Sequence, residues 1–196
     1  MILPIYAYGH PILRKDTHEI EELNDEMKKL ISNMFETMYG SNGVGLAAPQ
    51  IGKALRLFII DGSPFAEDEA EAETEEEKKE NEFLKTFKRV FINPIIEEEH
   101  GEEWGFEEGC LSIPGIREEV FRQENVVISY YNENWELVEE ELSGLAARVV
   151  QHEYDHIEAK LFTDYLSPMK RRLNKRKLTD ISKGIVPVKY KMKFPK

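Results

Sequence analysis

Two histidines, His152 and His156, stand four residues apart in a segment whose apolar residues repeat with helical spacing from Gly144 onwards. Side chains at i and i+4 lie one above the other on a helix face, so both imidazoles can reach one metal ion. Glu153 projects beside that ion, where a carboxylate can accept a proton from water. Because the histidines share a broad face with apolar residues, we expect the fold to pack around this helix.

A metal site of this kind needs a third protein ligand, and a catalytic one keeps a fourth position open to water. Asp164 is one candidate. The longer pattern of one group of zinc proteases fails, because Ala159 and Phe162 stand where it needs glycine and histidine. The other candidate is Cys110, the only cysteine, which glycine and proline bracket in the segment 108–114 (Glu-Gly-Cys-Leu-Ser-Ile-Pro).

These residues leave several kinds of protein open. A zinc endopeptidase would take its third ligand after His156. A non-catalytic module with structural zinc would need four protein ligands, whereas only three good ones are present. A cysteine hydrolase would use Cys110 as nucleophile, which leaves Glu153 without a role.

A third segment, residues 43–50, has the sequence Gly-Val-Gly-Leu-Ala-Ala-Pro-Gln. Its two glycines let another chain approach the backbone closely. It lacks the lysine and the following serine or threonine of a phosphate-binding loop. Gln50 supplies an amide donor that could hold a developing oxyanion.

Together, in this order, the three segments resemble the peptide deformylase family. That family shares Gly-x-Gly-Leu-Ala-Ala-x-Gln, then Glu-Gly-Cys-Leu-Ser, then Gln-His-Glu-x-x-His, and this chain has them at 43–50, 108–112 and 151–156. The resemblance extends from about residue 10 to residue 168. The acidic stretch 67–82 looks like an insertion, and the tail after residue 184 is not broadly shared.

The resemblance implies a hydrolase that removes the formyl group from the N-terminal methionine of newly made proteins. Cys110, His152 and His156 would hold one divalent ion, and Glu153 would be the general base for a metal-bound water. The family implies ferrous iron as the natural ion, with zinc, nickel or cobalt able to occupy the site.

The resemblance also implies the substrate contacts. The oxyanion would be stabilised by the metal, the Gln50 side chain and the Leu111 backbone N–H. The methionine pocket would comprise Val44, Phe106, Leu145 and Val149, with Arg148 at its rim. Further expected contacts are Gly43, Gly45, Glu108 and Gly109. The peptide would lie extended near Gly45, as an added strand.

Composition restricts the partners and the compartment. The formal net charge is −12, which disfavours wholesale nucleic-acid binding, and a single cysteine cannot form an intramolecular disulfide. No signal-peptide pattern and no apolar run near the roughly 18 residues of a membrane span is present. We therefore expect a cytoplasmic enzyme that acts on nascent chains, without membrane or DNA contacts. The basic run 170–177 is a solvated helix face or, as the resemblance implies for some deformylases, a weak contact with the ribosome.

Periodicity and turn residues predict one α+β domain over residues 1–196: a mainly antiparallel sheet around the metal-binding helix, with a C-terminal helix. The predicted helices are about 20–39, from 144, and 168–182. The predicted strands are 55–61, 89–93, 120–132 and 137–142, the last two forming a hairpin. The acidic insertion 67–82 is expected as a solvated loop or exposed helix, and the tail 185–196 as an edge strand.

Overall fold

In the computed structural model, residues 1–66 and 74–195 are described. The strands are β1 (Ile5–Tyr6), β2 (Gly45–Ala47), β3 (Leu57–Asp61), β4 (Lys88–Cys110), β5 (Ile113–Tyr131), β6 (Leu137–Ser143) and β7 (Met192–Lys193). The α-helices are α1 (Asp25–Gly40), α2 (Glu75–Thr86), α3 (Gly144–Ile157) and α4 (Pro168–Ser182).

The main sheet has five strands in the order β2-β3-β4-β5-β6, and every neighbouring pair is antiparallel. β1 and β7 form a separate parallel pair. The predicted α+β class with a mainly antiparallel sheet is therefore confirmed.

Helix α1 is shorter at its start than its apolar pattern predicted. The side chain of Asn24 accepts a hydrogen bond from the N–H of Met27 at 3.0 Å, which caps the helix at residue 25. Ile20 continues the apolar pattern but lies outside the helix, where its N–H donates to the side chain of Asn93. Ile20 and Leu23 thus pack in the core without being helical, a difference that periodicity cannot reveal.

Strand β4 is far longer than the predicted 89–93, because it continues to residue 110 beside β5. Its second half is rich in exposed glutamates, and the pairing with β5 shifts register at four places. Each bulge resets the alternation of inward and outward side chains, so the sequence has no continuous period of two. The chain reverses over the two residues 111–112, directly after Cys110.

Helix α3 lies at the centre of the fold, and eleven of its fourteen residues are buried. Ala146, Ala147 and Val150 pack in one hydrophobic cluster with Phe58 of β3 and Ile128 of β5. The prediction of a helix from residue 144 is confirmed, as is the β5–β6 hairpin.

The acidic insertion is only partly described, since residues 67–73 lie outside the described ranges. The rest of it belongs to α2, which begins with a reciprocal capping box between Thr74 and Glu77. The helix extends beyond residue 82 and is anchored by Leu84, which is 1% exposed in the same cluster as α3. The expected exposed helix is therefore tied to the core at its C-terminal end.

The structure agrees in part with the predictions for the last helix and the tail. Ser167 caps α4 by accepting from the N–H of Lys170, and the helix ends at residue 182, as predicted. Of the tail residues 185–195, β7 alone forms a strand, and it pairs with β1 rather than with the main sheet. Across 1–66 and 74–195, no helix combines the length and the apolar character needed to cross a membrane.

Candidate metal centre and active site

Three side chains from two elements converge beside α3. Donor atoms of Cys110, His152 and His156 all lie within 4.8 Å of one another. The Cys110 Sγ is 3.3 Å from the His156 Nε2, and the two imidazole rings are 5.1 Å apart at 84°. A thiolate and two imidazoles suit a divalent transition-metal ion, so these residues fit the predicted metal.

The β4–β5 turn determines where the thiol lies. Cys110 is the last residue of β4 and pairs with Ile113 across the two-residue turn. The turn is fixed on its far side, because the N–H of Tyr8 donates to the Ser112 carbonyl at 2.8 Å. The thiol is therefore held by a paired strand end rather than by a free loop.

Glu108, also on β4, determines which nitrogen of His152 faces the site. A carboxylate only accepts, so the Nδ1–H of His152 donates to Glu108 Oε2 at 2.8 Å, which leaves Nε2 free for a metal. Burial alone would raise the pKa of Glu108, but hydrogen bonds from His152 and Arg122 outweigh it and lower the pKa well below its ordinary value. Glu108 is thus an anion at neutral pH.

Burial favours the neutral form of the second histidine. His156 is 1% exposed, and this burial lowers its pKa well below the ordinary value. The neutral imidazole is the form that ligates metals.

Glu153, the general base predicted from the sequence, lies against Gly45 in the segment 43–50. Glu153 is 4% exposed, and its Oε2 has no hydrogen-bond partner among the described residues. A Cβ added to Gly45 would lie only 2.4 Å from its Oε1, so the carboxylate occupies the space that a side chain there would need. Burial raises the pKa of Glu153 to about 7. A carboxyl with that pKa can both take and return a proton near neutral pH.

Gln50 is oriented by its own loop. Its Oε1 accepts from the N–H of Ala47 at 2.9 Å, so the amide NH₂ points the other way, at 3.3 Å from both Cys110 Sγ and Ser112 Oγ. The donor end therefore faces the Cys110, His152 and His156 cluster, beside the turn that contains Leu111.

These side chains open into a cavity of about 560 Å³, a size typical of ligand pockets. Of the residues predicted to act on the substrate, those that line the cavity are Gly43, Val44, Gly45, Gln50, Phe106, Glu108, Gly109, Leu111, Arg148, Val149 and Glu153. Cys110 and His152 line it as well. His156 lies behind them, and Leu145 packs against the core cluster instead.

Arg148 is not at the rim, where we expected it, but buried at 2% exposure. Its guanidinium lies 4.5 Å from the Trp104 ring centroid, donates to the Trp104 carbonyl at 2.6 Å and donates to Glu108 at 3.1 Å. The expectation failed because a long cation at a helix position normally extends into solvent. Here a carboxylate on β4 and an aromatic ring compensate its burial.

Several neighbours of the site were not found from the sequence. Arg122 donates to Glu108 at 2.7 Å and to Asp155 at 2.8 Å, and the Tyr165 hydroxyl donates to Asp155. Phe65 lines the cavity and contacts Phe106 edge-on at 6.3 Å. Their partners are 10 to 41 residues away along the chain, so no local pattern indicates them.

A thiolate, two imidazoles and a buried carboxylate beside an open cavity, on an antiparallel sheet and a central helix, define a metal-dependent hydrolase. The family model described as polypeptide deformylase matches residues 2–172. The chain belongs to the peptide deformylase family, enzymes that remove the N-formyl group from the N-terminal methionine of nascent proteins.

Similar proteins agree over the whole chain. The peptide deformylase of Christiangramia forsetii is 56% identical over 195 residues, covering 100% of this chain and 97% of its own. That of Cytophaga hutchinsonii is 49% identical, with coverages of 100% and 98%. The crystal structure of a peptide deformylase from Legionella pneumophila superposes with a TM-score of 0.76 at 38% identity, covering 95% of this chain and 100% of that one.

Proposed function

We propose that Cys110, His152 and His156 hold the ion and that Glu153 moves the proton in deformylation. When bound, the ion would acidify a water molecule and polarise the formyl carbonyl. Glu153 accepts the proton of the attacking water and delivers it to the departing amine, so that formate and a free N-terminus result. The observation that supports this role most directly is the buried Glu153 Oε2, which has no hydrogen-bond partner in the described part of the chain and lies beside the ligand cluster.

In this proposal, two donors would stabilise the oxyanion that forms when water attacks. The Gln50 amide faces the cluster because its oxygen is occupied by Ala47. The Leu111 N–H belongs to the turn directly after Cys110. Such donors are most effective when fixed before the reaction, and both lie in segments with hydrogen bonds on each side.

We propose that the formyl-methionine chain lies along β2, which is an outer strand of the main sheet and borders the cavity through Gly45. Outer strands offer backbone groups to an added strand. The methionine side chain would then enter the apolar part of the cavity, formed by Val44, Phe106 and Val149 together with Phe65.

Glu108 would orient His152 and keep the metal ligand from rotating. Its carboxylate is shared by His152, Arg122 and Arg148, so three donors surround it in a buried position. Partners of this kind typically change metal affinity or activity by about 10–100-fold when removed.

The proposed natural ion is ferrous iron, by the family resemblance, with zinc, nickel or cobalt as ions that the same ligands accept. One thiolate and two imidazoles bind all four. Metal analysis of protein purified without oxygen, followed by activity after restoring each ion, tests this assignment. Highest activity with zinc alone would contradict it.

One assay tests the reaction against its rivals: formate release from formyl-Met-Ala-Ser by metal-stripped and metal-restored enzyme. Activity that depends on the metal supports the proposal. Activity without metal would favour the cysteine hydrolase, and cleavage of internal peptide bonds the endopeptidase. Asp164, the endopeptidase's candidate ligand, instead binds Arg14 and the N–H of Leu161.

We further propose that the enzyme works in the cytoplasm, where nascent chains are made, and that α4 contacts ribosomal phosphates. Arg172, Lys175 and Arg176 are exposed on α4, whereas Arg171 donates to the carbonyls of Leu166 and Asp164. Reversing the three exposed charges should abolish co-sedimentation with ribosomes at low salt, because phosphate contacts dominate such binding.

A control with equal charge change is the reversal of Lys28, Lys29 and Lys53, which are exposed elsewhere. Both variants should deformylate a short peptide like the parent. Equal loss of co-sedimentation in both variants would show a net-charge effect rather than a docking helix.

A further inference from the structure

The C-terminal tail returns to the active site after α4. The N–H of Ile5 donates to the Lys191 carbonyl at 2.8 Å, and the N–H of Ala7 donates to the Lys193 carbonyl at 2.9 Å. Val186 and Phe194 pack against a hydrophobic cluster that contains Leu178 of α4. The tail is therefore held by backbone pairing and by apolar contacts at both of its ends.

Residues 187–190 of this tail line the same cavity as Cys110 and Glu153. One contact is polar: the Tyr190 hydroxyl donates to the Leu111 carbonyl at 2.7 Å. Tyr190 also packs, with the Leu111 side chain, against the cluster around Met34 and Met38. The tail thus reaches the one turn that joins the thiol ligand to β5.

We propose that Tyr190 is a positioning residue for catalysis: it holds the Leu111 carbonyl and thereby aims the Leu111 N–H at the oxyanion. This inference rests on the proposed role of that N–H. The peptide group before Leu111 is held because Cys110 pairs with Ile113 at the end of β4. The peptide group after Ser112 is held because the Tyr8 N–H donates to the Ser112 carbonyl. The Tyr190 hydroxyl is the contact on the peptide between them.

Losing this contact frees the two dihedral angles of Leu111, which set the direction of its N–H relative to its carbonyl. A donor aimed at the oxyanion stabilises the transition state more than the bound substrate, so its misalignment lowers kcat rather than raising KM. A fully removed oxyanion donor costs about 10²–10³-fold in kcat, so a misaligned one should cost about tenfold.

The test is Tyr190→Phe, which keeps the ring and its packing and removes only the hydroxyl. We expect kcat for formyl-Met-Ala-Ser to fall about tenfold, with KM and metal content within about twofold of the parent. The matched control is Tyr130→Phe, which removes a hydroxyl that donates to Glu140 at 2.6 Å outside the cavity lining. It should leave kcat unchanged.

A spectroscopic measurement separates positioning from a general loss of stability. In the zinc-loaded enzyme labelled with ¹⁵N-leucine, the Leu111 amide resonance should shift in Tyr190→Phe and not in Tyr130→Phe. A Tyr190→Phe enzyme with parental kcat, or with an unshifted Leu111 resonance, would overturn the inference. Failure of the metal-restored parent to release formate would instead contradict the proposed function.

Discussion

Replacing Gly45 with alanine should disable Glu153 without touching a metal ligand. The added Cβ would lie 2.4, 2.7 and 2.8 Å from the Oε1, Cδ and Cγ of Glu153, whereas ordinary Cβ contacts are 3.4–4 Å. Gly45 is not among the residues with positive φ, so its backbone accepts alanine. The carboxylate must therefore move by about 1 Å, because three of its atoms are too close at once.

The effect on rate follows from that displacement. A misplacement of about 1 Å can cost about 10²-fold, and general acid–base catalysis as a whole contributes about 10²–10⁴-fold. We expect kcat of Gly45→Ala to fall by about 10²-fold, with the bound metal retained. Overpacking should also lower the free energy of unfolding by about 1–3 kcal/mol.

The assay is formate release with metal content measured on the same samples. If Gly45→Ala acts through Glu153, the double variant with Glu153→Ala should be no slower than Glu153→Ala alone. Gly105→Ala is the matched control, since the three atoms nearest to its Cβ all belong to the exposed Glu119 side chain, which can turn into solvent. A Gly45→Ala enzyme within about threefold of the parental kcat, or a double variant slower than Glu153→Ala, would refute the reasoning.

Three other predictions concern the metal, the fold and the substrate. Cys110→Ala should lose its metal in elemental analysis, and full occupancy would disprove the ligand assignment. Glu80 of α2 accepts from the Leu145 N–H at 2.9 Å, at the start of α3, where Ser143 makes no side-chain cap. Glu80→Ala should therefore lower the free energy of unfolding in urea by about 1 kcal/mol, while Glu80→Gln, which keeps the acceptor, should lose less. Formyl-Met peptides should react faster than acetyl-Met or formyl-Asp peptides, because the loop at Gly45 leaves little room and the pocket is apolar; equal rates would indicate a general amidase.

The sequence predicted the elements whose signals are local. The helix that bears His152 and His156 follows from spacing along a single segment, and the predicted range 168–182 of the last helix is that of α4. The length of β4 does not follow from such spacing, because its pairing with β5 is interrupted by bulges and residues 97–103 are all exposed or half-buried. The start of α1 was predicted too early because Ile20, which fits the helical pattern, is buried in the core by tertiary contacts and lies before the helix.

At the candidate site, the sequence identified the residue types and only the tertiary structure decided their environments. The segment 151–156 and Cys110 were found because metal ligands require particular side chains, which are few in the chain. The burial of Arg148, the sharing of Glu108 and the contact of Tyr190 with Leu111 depend on partners 14 to 79 residues away. Contacts across such separations exist only after the sheet has formed around α3. The spacing of residues along the sequence therefore does not predict them.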